Sequence, residues 1–161
     1  MTLQRADIQQ LLSRILDEES RLLGELQALL HDEALILTSN DIEGITRIGS
    51  TRQRCIDALT RLDVERADCC RMLSFGEGGS ALVKLHQWCD PGGALNLKWQ
   101  DNLTIARRCQ QLNDTNGAVV TAKLARVQQL LMAIRGTSAP PVYSARASRY
   151  GVLGTRDLGR A

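Results

Sequence analysis

Three long stretches of this chain place apolar residues at alternating steps of four and three, and no proline interrupts any of them. Such a stripe lies along one face of an α-helix and is buried when helices pack side by side. We therefore predict three long helices, over roughly residues 4–37, 41–74 and 95–135. Short connections between them favour an all-α, up-down bundle of antiparallel, coiled-coil-like helices.

The apolar composition agrees with helix-to-helix packing. Hydrophobic residues make up 43% of the chain but aromatic residues only 3%, so aliphatic side chains supply nearly all of the apolar volume. A β-sandwich would use more aromatic side chains. No apolar run approaches the roughly 20 residues that span a bilayer, and the N-terminus has no signal-peptide core. We expect a cytoplasmic protein without membrane insertion.

The predicted ends of the helices divide the chain into a bundle and a tail. Asn40 is expected to cap the second helix, with Glu43 completing a capping box. A short connecting helix is predicted at 81–88. Residues 1–136 form the predicted bundle, and residues 137–161 form a flexible basic tail without helical period.

Each stripe is interrupted by polar residues where apolar ones are expected. These are Glu19 and Glu33 in the first, Arg52 and Arg66 in the second, and Asn113 and Asn116 in the third. Polar residues at such positions cost stability but can fix register or partner choice. We expect both asparagines to face the interior or a partner chain. Gly117 would allow a close approach there, although a polar layer with a tolerated glycine is the simpler alternative.

Candidate catalytic and metal-ligating residues do not form a convincing site. His31 lacks the small residues and the lysine that phosphotransfer domains place beside their histidine. His86 and the cysteines include the right atoms for zinc, but there is no CxxC pair, and Cys69 and Cys70 point about 100° apart on a helix. We predict buried, unpaired cysteines, no metal, no cofactor and no enzymatic activity.

The charges are unevenly distributed along the chain. Residues 1–75 hold 9 basic and 13 acidic residues, whereas residues 76–161 hold 11 basic and 5 acidic residues. Opposite charges of this kind can pair within a bundle. The basic half has no dense stripe with interleaved aromatic residues, so the pattern does not indicate nucleic-acid binding.

Several motifs of the C-terminal half resemble those of one protein family. They are Asn113-x-x-Asn116-Gly117, the apolar run 127–134, Arg135-Gly136, and Tyr143 after a proline break. With the leucine-rich first helix, they make the chain similar to the FlgN family of flagellar export chaperones. The resemblance implies a chaperone that binds the hook-filament junction proteins FlgK and FlgL, prevents their premature assembly and delivers them to the export gate component FlhA.

The resemblance also implies where the partners bind, because the family places client binding towards the C-terminal part. The expected client-binding residues are Asn113, Asn116, Gly117, Val120, Leu124, Val127, Leu131, Tyr150 and Leu153. Tyr143 is the expected export-gate contact, with Tyr150 as the alternative for the family's tyrosine. Removal of the tail after Gly136 should leave the bundle folded and abolish most client binding. Two alternatives stay open: a generic coiled-coil adaptor without export role, and a homodimer rather than a monomer.

Overall fold

A computed structural model describes residues 4–136 of the chain, and within this range it is helical apart from the turns and the ends. The all-helical class is confirmed. The described residues form three long helices, α1 (Arg5–Thr38), α2 (Ile42–Met72) and α4 (Ala94–Arg135), and a short connecting helix, α3 (Gly79–Cys89). The bounds lie within two residues of those predicted from the apolar stripes. The predicted tail, 137–161, lies outside the described residues.

The start of α2 corrects one prediction by a single residue. Asp41, not Asn40, is the N-cap, and its Oδ1 accepts a hydrogen bond of 2.9 Å from the backbone N–H of Gly44. A Cβ atom on residue 44 would lie 2.3 Å from the Asp41 carboxylate, so a larger residue there would make the carboxylate shift from its present position. Asn40 remains in the exposed turn between the helices.

Both ends of α4 are set by local chemistry. Its first turn is capped by Asp90, whose carboxylate accepts from the backbone N–H of Leu95 at 2.5 Å. Its last turn ends at Gly136, which adopts a left-handed conformation (φ 66°) and donates its N–H to the carbonyl of Met132. Glycine reaches this conformation without the steric cost that other residues bear, so it ends helices readily.

Helix α1 is the central element, because α2 and α4 both pack along it and approach each other less closely. Contacts between α1 and α2 run in opposite directions: Glu19 meets Arg66, and Glu33 meets Arg52. Contacts between α1 and α4 run in the same direction, since Asn102 reaches Leu16 and Asn116 reaches Leu30.

The buried apolar side chains form two clusters along this axis. One joins the start of α1 to the end of α2, to α3 and to the start of α4; it contains Ile8, Leu12, Leu16, Cys69, Cys70, Ala81, Leu85, Cys89, Leu95, Trp99 and Leu103. The other fills the middle of the long helices and contains Ile15, Leu22, Leu26, Leu30, Cys55, Leu62 and Cys109. The second half of α4 adds no buried apolar residue to either cluster.

Candidate partner-binding surface

Two buried polar layers hold the three long helices together. In the first, the Glu19 carboxylate accepts from Arg66 of α2 at 3.0 and 3.2 Å and from the Asn102 amide of α4 at 2.9 Å. The Asn102 amide also donates to the carbonyl of Leu16. All three polar side chains are buried, so each group's loss of water is offset by hydrogen bonds to the others.

The second layer repeats the first one fourteen residues further along. The Glu33 carboxylate accepts from Arg52 at 2.7 and 3.0 Å and from the Asn116 amide at 2.9 Å. The Asn116 amide also donates to the carbonyl of Leu30. The interior position predicted for Asn113 and Asn116 is confirmed, since both are buried. Because both side chains are buried, neither is available to contact a client at the surface of the bundle.

Beyond the second layer, α4 continues past the end of α1. Lys123 marks the place, because its ammonium group donates to the carbonyl of Leu37, one residue before α1 ends. A cation is favourable there, since the last carbonyls of a helix bear partial negative charge. The twelve residues after Lys123 extend α4 by about 18 Å. We call residues 124–135 the α4 projection.

The α4 projection displays an apolar stripe that no other described element covers. The exposed fractions are 47% for Leu124, 52% for Val127, 44% for Leu131 and 81% for Ile134. These residues continue the four-three spacing by which α4 packs on α1. Of the other predicted client-binding residues, Gly117 and Val120 are half-buried and precede the projection on α4. Exposed apolar side chains that follow one another along one face of a helix are typical of protein-binding surfaces.

The turn of the α1–α2 hairpin is a second place where apolar side chains are exposed. Leu35 of α1 and Ile42 of α2 flank this turn, and both are exposed. They belong to other helices than the α4 projection, so the continuous apolar stripe is formed by α4 alone.

The cysteines and histidines do not assemble a reactive site in residues 4–136. All five thiols are buried and unpaired, and burial raises the pKa of Cys89 and of Cys109 to about 11. Thiols of this kind stay protonated at neutral pH and are poor nucleophiles and metal ligands. No group of three metal-ligating side chains is found in this range. None of its helices is both long and apolar enough to cross a membrane.

His86 is a buried histidine packed edge-to-face on Trp99, with ring centroids 4.8 Å apart. Neither ring nitrogen has a hydrogen-bond partner among the described residues. Burial, together with the positive charge of Arg66, outweighs the opposing effects of Asp90 and of the Asn96 side chain and lowers the pKa of His86 to about 4. The imidazole is therefore neutral at physiological pH. His31, in contrast, is exposed on α1.

Comparison with known proteins decides the family. The family model described as FlgN protein matches residues 1–151. The chain belongs to the FlgN family. FlgN proteins are chaperones of flagellar biogenesis, so the resemblance predicted from the Asn-Asn-Gly motif is confirmed. No curated protein and no solved structure matches the chain.

Sequence analysis found five of the six residues of the two polar layers and missed Asn102. It did not predict which of these residues pair with each other. The signal was present, because each long helix carries its polar residue twice, fourteen residues apart: Glu19 and Glu33, Arg66 and Arg52, Asn102 and Asn116. Tyr143, Tyr150 and Leu153, the other predicted site residues, lie outside the described residues.

Proposed function

We propose that this FlgN-family protein is a cytoplasmic export chaperone for FlgK-like and FlgL-like hook-filament junction proteins. It prevents their premature assembly and delivers them to FlhA at the export gate. The observation that supports this most is the uncovered apolar stripe of the α4 projection, beside the end of an otherwise well-packed bundle. The function requires no chemistry on the client, in keeping with a chaperone family.

The polar layers explain how the bundle can present such a stripe. They tie α4 to α1 and α2 through buried hydrogen bonds at Glu19 and Glu33, so the direction of the projection is fixed before a client arrives. The three long helices would then form a rigid up-down bundle from which the α4 projection extends. A preorganised surface loses less conformational entropy on binding than one that must first become ordered.

A client helix would lie on the stripe and continue its four-three packing. In recognition of this kind, apolar residues spaced along one helix face enter the groove of the partner. Binding then stabilises the unassembled client by mass action, without ATP. The surface would consist of Val120, Leu124, Val127 and Leu131, and Ile134 extends it.

The tail contributes two further proposals. Tyr150 and Leu153 would extend the client contact beyond Gly136, and Tyr143, or Tyr150 in its place, would contact FlhA. A Tyr143→Ala variant would keep its client but engage FlhA poorly. Such a result would separate export-gate docking from client binding.

Calorimetric titration with C-terminal segments of the organism's FlgK-like and FlgL-like proteins tests the proposed function. The full chain should bind at least one segment. The sequence alone predicts that a chain truncated after Gly136 stays folded and loses most of its client binding. Because the exposed stripe of the α4 projection remains in the truncated chain, we expect weaker binding instead of its near-complete loss. Failure of the full chain to bind either segment would contradict the proposed function and favour a generic coiled-coil adaptor.

A further inference from the structure

The α4 projection is basic as well as apolar. Residues 123–135 contain three basic residues and no acidic one. Within α4, Lys123 and Arg126 stand beside the apolar stripe, and Arg135 lies at its end. A partner that covers this stripe brings its own flanking charges close to these cations.

The structure already contains one helix that α4 binds, and that helix is acidic. Residues 5–38 of α1 hold seven acidic and three basic residues, whereas residues 94–135 of α4 hold two acidic and six basic residues. The carboxylates of α1 meet α4 directly: Glu19 and Glu33 accept from its asparagines, and Asp17 pairs with Lys98. Recognition of α1 by α4 therefore combines an apolar stripe, two buried carboxylates within that stripe, and an exposed carboxylate beside it that pairs with a lysine.

The contacts between the two helices also show where a further helix fits. At every seventh residue a side chain of α4 reaches a carbonyl of α1, in the order Asn102, Cys109, Asn116 and Lys123, which contact Leu16, Leu23, Leu30 and Leu37. The next position in this series is Leu130, which lies beyond the end of α1 and is 56% exposed. Beyond Thr38, the side of α4 that packs on α1 is therefore exposed among the described residues, and a second helix could pack there in line with α1.

We propose that the α4 projection binds a partner helix that resembles α1, with an apolar stripe flanked by acidic residues, along the line of α1 beyond Thr38. This inference rests on the proposed function in one respect, that the partner helix belongs to the client. A second copy of the chain fits less well, because pairing two projections brings Lys123, Arg126 and Arg135 of both copies together. Like charges in such proximity repel.

Two synthetic helices test the proposal against the full-length chain. Each is about three heptads long with the same leucine stripe, and the flanking positions are glutamate in one and lysine in the other. By fluorescence anisotropy at low salt, the glutamate peptide should bind roughly tenfold more tightly, as several exposed ion pairs together provide. Raising the salt concentration should shrink this preference, because exposed charges are screened.

Arg126→Glu should reduce the preference for the glutamate peptide. Arg108→Glu is the matched control, since Arg108 is an exposed arginine on the part of α4 that runs beside α1, and this change should leave the preference intact. Equal binding of the two peptides, tighter binding of the lysine peptide, or an unchanged preference in Arg126→Glu would overturn the proposal. A dimer of the chain that Val127→Asp dissociates would overturn it too, in favour of a second copy.

The junction-protein segments, titrated in parallel, separate this inference from the proposed function. If those segments bind and the peptides show no charge preference, the inference fails and the function stands. If the glutamate peptide binds through Arg126 but no junction-protein segment binds, the inference stands and the proposed function fails.

Discussion

The carboxylate of Glu33 is fully buried and accepts two hydrogen bonds from one guanidinium nitrogen of Arg52, at 2.7 and 3.0 Å. This pair joins α1 to α2 at the last polar layer before α4 extends past the end of α1. Asn116 of α4 donates to the same carboxylate, so the three long helices share one buried charge.

Removing one partner of this pair should destabilise the protein strongly. Glu33→Ala leaves the buried guanidinium of Arg52 without its main counter-charge, and the expected loss is about 3–5 kcal/mol of unfolding free energy. Urea denaturation measures it. The control is Glu65→Ala, which removes the exposed partner of Arg14 and should change stability by less than about 1 kcal/mol. Similar losses in both variants would show that the burial of Glu33 does not matter.

The two polar layers should act independently of each other. Asn102→Ala and Asn116→Ala each remove an amide that donates to a buried carboxylate and to a carbonyl of α1, and each should cost about 1–3 kcal/mol. The layers lie about 21 Å apart along the helices, so the double variant should lose the sum of the single losses within about 0.5 kcal/mol. If the loss in the double variant differs from the sum of the single losses by more than this in urea titrations, the two layers are coupled through α4.

The bundle was predictable from sequence because its main signals are local. Apolar spacing and helix-ending residues depend on neighbours in the chain, which is why Arg135-Gly136 was found as a helix end. The prediction that Asn40 caps α2 was wrong. It rested on a capping box between Asn40 and Glu43, whereas in the structure Asp41 is the cap and accepts from the backbone N–H of Gly44. The partners of Glu19 and Glu33 depend on how three helices align, which no single stripe specifies.

The exposed stripe was only half predictable. Sequence analysis identified Val127 and Leu131 as members of a continuous apolar face but could not tell a buried face from an uncovered one. That distinction depends on where α1 ends relative to α4, which the contact between Lys123 and Leu37 defines. The spacing of Asn113 and Asn116 placed them in the interior correctly, yet their role as links to α1 requires the position of Glu33.

Stability should fall as the pH drops from about 6.5 towards 4, because of His86. Its folded pKa of about 4 lies below its ordinary value, so the folded state binds fewer protons than the unfolded state in this range. Between pH 7 and pH 5 the expected loss is about 2 kcal/mol. His86→Phe should flatten this part of the stability profile, and His31→Gln, at an exposed site, should not. An unchanged profile in His86→Phe would contradict the assignment.

The effect of Gly44→Ala should depend on the residue at position 41. In the natural chain a Cβ at residue 44 collides with the Asp41 carboxylate and disturbs the cap, and the loss of about 1 kcal/mol offsets the gain in helix propensity, so stability should change little. In an Asp41→Ala background the collision is absent, so alanine should stabilise α2 by up to about 1 kcal/mol. Thermal unfolding of the four proteins gives both effects. An equal effect of Gly44→Ala in the two backgrounds would contradict the proposed collision.

The central claim is that the α4 projection is the client-binding surface, and one calorimetric comparison tests it most directly. The full chain, Val127→Asp and Leu97→Asp are each titrated with the junction-protein segment that the natural chain binds. Val127 and Leu97 are both exposed residues of α4, but Val127 belongs to the projection and Leu97 to the opposite end of the helix. Both variants should keep the helical content and melting temperature of the natural chain. We predict that Val127→Asp weakens binding by more than roughly tenfold while Leu97→Asp binds like the natural chain. Equal binding by all three proteins would contradict the claim.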